Sequence, residues 1–171
     1  MTTLRYIKGF VLEPFLGIFV VPVLILFFMD YSPVWNKAYP LNVILTIPGI
    51  LLLLVGLVLV SITTYHFAKY GEGSAAPWDP PVNLVIQGFY QYTRNPMVMG
   101  VLFTVLGETI LFTSIPLLLL FLFLWIGNHV LFVKVEEPEL TKKFGDKYAS
   151  YMKNVPRWIP RRSAWLPSSE D

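Results

Sequence analysis

The chain has 171 residues, of which 55% are hydrophobic and 14% charged, and its formal net charge is +2. A water-soluble domain usually has about a quarter charged residues, so this composition excludes an ordinary soluble globule. The sequence has no cysteine and two widely separated histidines, which excludes disulfides and a cysteine nucleophile and argues against a bound metal.

Four long apolar blocks predict an all-α, polytopic integral membrane protein that forms a single domain over residues 1–171. A spanning helix needs about 20 mostly apolar residues, and the blocks approach or exceed that length. The first block is too long for a signal peptide and lacks a small-residue cleavage site, so we interpret it as a retained span. The predicted spans are residues 10–29, 41–67, 96–112 and 115–135, with a tight hairpin between the last two.

The basic residues of the predicted loops and ends lie almost entirely on one side of the membrane. Of the 13 Lys and Arg residues, only Lys37 falls on the other side in the four-span topology. Loops rich in Lys and Arg stay in the cytoplasm. The sequence therefore predicts that both termini, the loop of residues 69–95 and the C-terminal segment of residues 136–171 are cytoplasmic. This topology also explains the basic tail, so nucleic-acid binding has no support.

The C-terminal segment is predicted to begin with an amphipathic helix from Glu136 to about Lys153. Apolar side chains recur there at the spacing of one helix face. The residues on that face are Leu140, Phe144, Tyr148 and Tyr151.

The start of the third span combines Arg94, Asn95 and Pro96 with Gly100 about one turn later. A cytoplasmic anchor and a helix start explain Arg94 and Pro96, because proline is well suited to a first helical position. They do not explain Asn95 so near the bilayer, or a glycine that allows another group to approach closely. The N-terminus of this helix would also offer N–H groups to an anion.

The end of the fourth span carries the other ionisable candidates. Glu136 and Glu137 are either a solvated helix start, where acids suit the helix dipole, or a site for a cation or for hydroxyl and amino groups. His129 lies seven residues before Glu136, so the two can share a helix face. His129 is either a neutral structural histidine or a functional group, and Glu108 in the third span carries the same two interpretations.

The two polar blocks together resemble a known family. The first block reads Gly88-Phe89-Tyr90 followed by Arg94-Asn95-Pro96-Met97-Val98-Met99-Gly100. The second reads Glu136-Glu137-x-x-Leu140, then Phe144-Gly145-x-x-Tyr148-x-x-Tyr151, then Val155-Pro156-Arg157-x-Ile159-Pro160. In this order, across a helical hairpin, they resemble the membrane methyltransferases related to isoprenylcysteine carboxyl methyltransferase and phospholipid methyltransferases. The resemblance covers residues 78–161.

The resemblance implies S-adenosyl-L-methionine as the methyl donor, a cytoplasmic cofactor pocket without a Rossmann fold, and a lipid or lipophilic acceptor. It also implies which positions line or brace the pocket. These are Leu84, Val85, Tyr90, Arg94, Asn95, Pro96, Met97, Val98, Gly100, Glu136, Glu137 and Arg157. Candidates for a catalytic base are His129, Glu136 and Glu137, among which the sequence does not decide.

The chain departs from the eukaryotic members of this family at three places. They carry histidine at the position of Asn95 and tyrosine at that of Val98. They also place an arginine about one turn before the glutamate pair, where this chain has Phe132 and His129. An amine or another lipid headgroup is therefore as good an acceptor hypothesis as isoprenylcysteine. A membrane sterol-type reductase and a non-catalytic accessory protein are the alternative functions.

Overall fold

The computed structural model describes residues 16–28, 41–71 and 81–167, and all regular secondary structure in these ranges is helical. Part of the first predicted span, residues 10–15 and 29, and part of the predicted loop, residues 72–80, lie outside the described residues. Helix α1 begins with a π-helical turn, Leu16–Val20, and continues as an α-helix, Val21–Phe28. The other helices are α2 Leu41–Gly71, α3 Pro96–Phe112, α4 Ile115–Leu131, α5 Glu137–Phe144 and α6 Asp146–Asn154. A π-helical turn, Phe132–Glu136, joins α4 to α5, and a 3-10 turn, Gly88–Gln91, precedes α3.

Among the described residues, two helical stretches are long and apolar enough to cross a bilayer, namely Val43–Gly71 and Ile115–Phe144. The first has 29 residues, or about 43 Å of helix against a hydrocarbon core of about 30 Å. Their outward side chains are apolar and exposed, as Ile47, Leu54 and Phe123 illustrate, which suits a lipid-facing surface. Leu16–Phe28 and Pro96–Phe112 are shorter apolar helices, so a topology of four spans stays a prediction.

Helices α2 and α3 cross at very close range because glycines face each other at two levels. Gly49 and Gly56 on α2 meet Gly107 and Gly100 on α3, and both pairs are spaced by seven residues. A Cβ atom on Gly107 would lie 2.7 Å from the Leu53 nitrogen and 2.8 Å from the Gly49 oxygen. Small residues let backbones approach in this way, and close packing is the main attraction between helices in lipid.

The predicted tight hairpin between the third and fourth helices is present. Helix α3 ends at Thr113, which adopts a left-handed conformation with φ 47°. Ser114 then caps α4, since its buried hydroxyl oxygen accepts a hydrogen bond from the Leu117 N–H at 3.4 Å. The hairpin holds the start of α3 and the end of α4 at the same end of the molecule.

The segment after α4 differs from the single amphipathic helix predicted from the sequence. The π-helical turn continues α4 into α5, and the helix then breaks at Gly145. Gly145 has φ 57° and ψ −133°, a combination that side chains disfavour. Helix α6 folds back so that Tyr148, Tyr151 and Val155 form a buried cluster, against which Leu140 and Phe144 of α5 pack.

Candidate functional site

Two segments without α-helix lie side by side at this end of the molecule. We call residues 81–95 the site loop and residues 155–165 the strap. They are far apart in sequence and are joined by four hydrogen bonds in antiparallel order. The donors and acceptors are Arg94 N to Pro156 O (2.9 Å), Thr93 Oγ1 to Arg157 O (2.9 Å), Arg161 N to Tyr92 O (3.0 Å) and Trp165 N to Gln91 O (3.1 Å). The structure therefore brings together the two sequence blocks that carry the family resemblance.

The buried cluster of Tyr148, Tyr151 and Val155 contacts the site loop. The buried Tyr151 hydroxyl donates a hydrogen bond to the Tyr90 carbonyl oxygen at 2.7 Å, and Leu84 of the site loop packs against the same cluster. Burial raises the pKa of the Tyr151 hydroxyl well above its usual value, so Tyr151 stays neutral and acts as a donor. The site loop is thus held by α6 as well as by the strap.

Replacing Tyr151 by phenylalanine removes this donor and keeps the ring. We expect a loss of about 1 kcal/mol or somewhat more in the free energy of unfolding, because the Tyr90 carbonyl loses a buried partner. Thermal unfolding in detergent measures the change. Tyr65→Phe is the matched control, since Tyr65 is 59% exposed. Equal melting temperatures for the two variants would show that the bond contributes nothing.

Glu137 is the centre of a charged cluster that joins the site loop, the strap and α5. Its Oε1 accepts from Arg94 Nη1 and from Arg157 Nε, and its Oε2 accepts from Arg157 Nη2, each at 2.8 Å. The three side chains are largely buried, with 11% to 20% of each exposed. Hydrogen bonding to Glu137 raises the pKa of Arg157. Both oxygens of Glu137 are thus engaged by cations, so Glu137 links the site loop and the strap to α5.

Two buried donors beside this cluster have no hydrogen-bond partner among the described residues, Arg94 Nε and Asn95 Nδ2. Asn95 is the N-cap residue of α3, yet its side chain does not cap the helix. The first N–H groups of a helix also lack intrahelical partners. A buried polar group without a partner is costly, so this corner offers several donors to an oxygen-bearing or anionic group.

Glu136 is close enough to the buried Tyr90 for its charge to act on the Tyr90 hydroxyl. Burial, with a further contribution from the Glu136 carboxylate, raises the pKa of the Tyr90 hydroxyl above its usual value. The Tyr90 ring also lies 6.0 Å from the ring of Phe67 on α2. Unlike Glu137, Glu136 takes no part in the arginine cluster. The site therefore combines unpaired donors with a carboxylate that pairs with no arginine of the described residues.

The apolar positions named from the resemblance lie in the site loop and in the first turn of α3. Val85 is buried against Gly71, Pro96 is buried, and Val98 is half-buried. The Met97 sulfur accepts a weak hydrogen bond from the Thr64 hydroxyl of α2 at 3.5 Å. Gly100 differs from the others, because the group that approaches it is the α2 backbone, with Val60 N 2.8 Å from where its Cβ would be.

His129 contacts the strap through Trp158. The Trp158 Nε1–H donates to His129 Nδ1 at 3.2 Å, and Trp158 also lies 6.0 Å from the ring of Phe132. Two α-helical turns span about seven residues, but the π-helical turn adds one more. His129 and Glu137, eight residues apart, consequently contact the neighbouring strap residues Trp158 and Arg157, whereas the sequence spacing had paired His129 with Glu136.

Some supporting residues could not be recognised from the sequence. His66 of α2 packs against Gly88, which has φ 62°, and a Cβ at position 88 would collide with the imidazole ring. The glycine of the Gly-x-Tyr string was visible in the sequence, but nothing indicated its partner. Thr93 donates a hydrogen bond to the strap and had no pattern that singled it out.

Comparisons with known proteins agree with this arrangement. The family model described as phospholipid methyltransferase matches residues 44–147, more than half of the chain, from α2 to the start of α6. A protein-S-isoprenylcysteine O-methyltransferase of Schizosaccharomyces pombe is 38% identical over 78 residues, which cover 45% of this chain and 33% of that protein. No solved structure matches.

The matched range contains both glutamates, the start of α3 and the α2–α3 crossing, whereas the strap lies beyond it. Neither comparison supports a reductase. A chain with apolar helices, a polar corner at the end of its helical hairpin and this match is a membrane protein of the phospholipid methyltransferase family.

Proposed function

We propose that the protein is an S-adenosyl-L-methionine-dependent methyltransferase that acts on a lipid or other membrane-borne acceptor at the cytoplasmic face. The observation that carries this proposal is the pairing, at one corner, of the unpaired donors Arg94 Nε and Asn95 Nδ2 with the carboxylate of Glu136. Family membership supports the reaction type.

The residues present fit the chemical groups of S-adenosyl-L-methionine. Arg94, Asn95 and the N-terminus of α3 suit the carboxylate of its methionine part. Glu136 suits its ammonium or its ribose hydroxyls, and the hydroxyl of Tyr90 lies nearby. Apolar surface for the adenine would come from Leu84, Val85, Pro96, Met97 and Val98.

Three of the positions named from the resemblance would act indirectly. Glu137 and Arg157 hold Arg94 in place, and Gly100 lets α3 approach α2. When bound, the cofactor supplies an electrophilic methyl group on a positively charged sulfur. The task of the protein is then to orient donor and acceptor and to exclude water.

An amine acceptor must lose its proton before it can attack. Since Glu137 is neutralised by two arginines, Glu136 is the better of the two carboxylates for that step. The same residue would contact the cofactor, so a change at Glu136 should affect cofactor binding in the absence of any acceptor.

Glu136→Gln tests the proposed cofactor site. We expect the dissociation constant for S-adenosyl-L-methionine, measured by calorimetry on the purified protein, to rise about tenfold or more, because a charge-assisted hydrogen bond is lost. Glu139→Gln is the matched control, since Glu139 is an exposed acid of the same helix, and its binding should equal that of the wild type. Unchanged binding by Glu136→Gln would remove Glu136 from the site.

The reaction itself is tested by transfer of a labelled methyl group into a total lipid extract, followed by identification of the labelled species. No binding of S-adenosyl-L-methionine, or binding without transfer to any lipid or isoprenylcysteine acceptor, would refute the proposed function. A thermal shift with NADPH and none with S-adenosyl-L-methionine would point to a reductase instead.

A further inference from the structure

The strap lies at the edge of the bilayer, because Trp158 packs against the apolar part of α4. The Trp158 Nε1–H donates to His129 Nδ1 at 3.2 Å, and the ring centroids of Trp158 and Phe132 are 6.0 Å apart. Both partners belong to the apolar block of residues 115–135. His129 lies about 9 Å before the end of that block along the helix. Tryptophan favours the membrane interface, so the strap runs at the depth where headgroups meet hydrocarbon.

Two large apolar side chains close to this contact are left uncovered by the described part of the chain. Ile159, the residue after Trp158, is 81% exposed, and Leu166, directly after the strap, is 69% exposed. Neither lies in a helix. Moving apolar surface of this kind out of water is favourable. Since Trp158 already places the strap at the bilayer edge, the nearest cover for both side chains is lipid.

Two arginines lie between these apolar side chains. Arg162 is exposed, and the Arg161 guanidinium donates to the Asn154 carbonyl oxygen at 3.2 Å. Neither arginine pairs with a carboxylate of the described residues. Helices α5 and α6 add further exposed cations on the same segment, namely Lys142, Lys143, Lys147 and Lys153. Apolar side chains interleaved with cations are typical of segments that lie in the interface of an anionic leaflet.

The strap connects this surface to the proposed cofactor corner. Arg157, two residues before Ile159, binds both oxygens of Glu137 at 2.8 Å. On the other side of Ile159, the Arg161 N–H donates to the Tyr92 carbonyl oxygen of the site loop at 3.0 Å. Ile159 is thus flanked by contacts to α5 and to the site loop. A lipid surface that holds Ile159 in this position favours the arrangement in which both contacts form.

We propose that the strap is a lipid-docking element that strengthens cofactor binding. Ile159 and Leu166 insert into the leaflet beside the cofactor corner, and Arg161 and Arg162 bind anionic lipid headgroups there. The coupling rests on the proposed cofactor site, whereas the docking does not. The anionic lipid regulates the site and is not the methyl acceptor. By linkage, cofactor binding must strengthen the docking by the same factor.

The docking is tested without cofactor. The chain has no cysteine, so Ile159→Cys accepts a single nitroxide label in protein held in nanodiscs of phosphatidylcholine and phosphatidylglycerol. We expect oxygen, which concentrates in lipid, to relax this label more than a water-soluble nickel chelate does. A label at Ala149→Cys, on the exposed face of α6, should respond more to the chelate. A preference for the chelate at both positions would overturn the proposal.

The coupling is measured as the dissociation constant for S-adenosyl-L-methionine in two kinds of nanodisc, one of phosphatidylcholine alone and one with equal parts of phosphatidylglycerol. We expect about fivefold tighter binding in the anionic nanodiscs, which is at the lower end of typical coupling between sites. Arg162→Gln should remove most of this difference. Ile159→Ser should weaken binding in both nanodiscs, while Ile159→Leu should match the wild type. Lys153→Gln, which removes an exposed cation of α6, is the matched control and should keep the difference.

The variants also separate docking from a simple attraction of the positively charged cofactor to an anionic surface. Such attraction would make Arg162→Gln bind more tightly, since a repelling cation is removed, and that result would overturn the proposal. Equal dissociation constants in the two nanodiscs, or an equal loss of the difference in Lys153→Gln and Arg162→Gln, would overturn it too. A lipid-shielded label at position 159 with no cofactor binding in either nanodisc would refute the proposed function and the coupling but leave the docking intact.

Discussion

Replacing Glu137 by glutamine should both destabilise the protein and abolish cofactor binding. Glu137 is the only partner that the described residues provide for the charges of Arg94 and Arg157. Glutamine keeps the shape but leaves two largely buried cations uncompensated. Removing one partner of such a cluster costs about 3 to 5 kcal/mol. The same change releases Arg94, and with it the start of α3.

This prediction is checked by thermal unfolding and by calorimetry with S-adenosyl-L-methionine on the same preparations. Glu139→Gln again serves as the control, because it removes a carboxylate from the same helix turn without breaking an ion pair. Arg157→Lys should give an intermediate loss, because lysine keeps the charge but cannot form the two parallel hydrogen bonds. Wild-type stability for Glu137→Gln would mean that the cluster does not hold the strap.

The comparison between Glu136 and Glu137 separates two roles that the sequence could not. Glu136→Gln is expected to weaken cofactor binding in a protein that still folds, whereas Glu137→Gln is expected to lower the unfolding temperature as well. Adjacent, identical residues differ here because one side chain binds two arginines and the other has no arginine partner among the described residues. If the two variants behaved alike, the division of the pair into a structural and a binding residue would be wrong.

The main features of the fold follow from patterns that are local in sequence. Long apolar blocks predict the helices, and residues 113–116 predict the hairpin that brings the start of α3 beside the end of α4. The resemblance pairs the two polar blocks, and the contacts from Arg94 to Glu137 and Pro156 confirm that they meet. These features depend on helix length and turn chemistry, both of which can be recognised from local sequence.

The parts that could not be predicted depend on register and on distant partners. A seven-residue spacing paired His129 with Glu136, but the π-helical turn Phe132–Glu136 shifts the register by one residue. No residue in that turn signals an extra residue per turn. Likewise, Gly100 was expected to let another group approach closely, and the group that approaches it is the α2 backbone. A glycine in the sequence indicates a close approach but does not identify the group that approaches.

The α2–α3 crossing leads to the second prediction with a large effect. Gly107→Ala should strongly destabilise the protein, although alanine is worth about 1 kcal/mol more than glycine within a helix. The added Cβ would fall 2.7 Å from the Leu53 nitrogen and 2.8 Å from the Gly49 oxygen. Both are backbone atoms, so no side chain can rotate away, and the two helices must separate along the interface. Overpacking costs typically about 1 to 3 kcal/mol, and a backbone clash belongs at the upper end or above.

Gly127→Ala is the matched control, because a Cβ at that position of α4 meets nothing within 4 Å. The same chemical change should therefore have opposite signs at the two positions, lowering the unfolding temperature at Gly107 and leaving it equal or higher at Gly127. Equal shifts would show that the close crossing is not a source of stability. The site depends on this crossing, since α2 supplies Thr64 to Met97 and His66 to Gly88. Gly107→Ala should consequently weaken cofactor binding although Gly107 lies away from the proposed pocket, and Gly127→Ala should not.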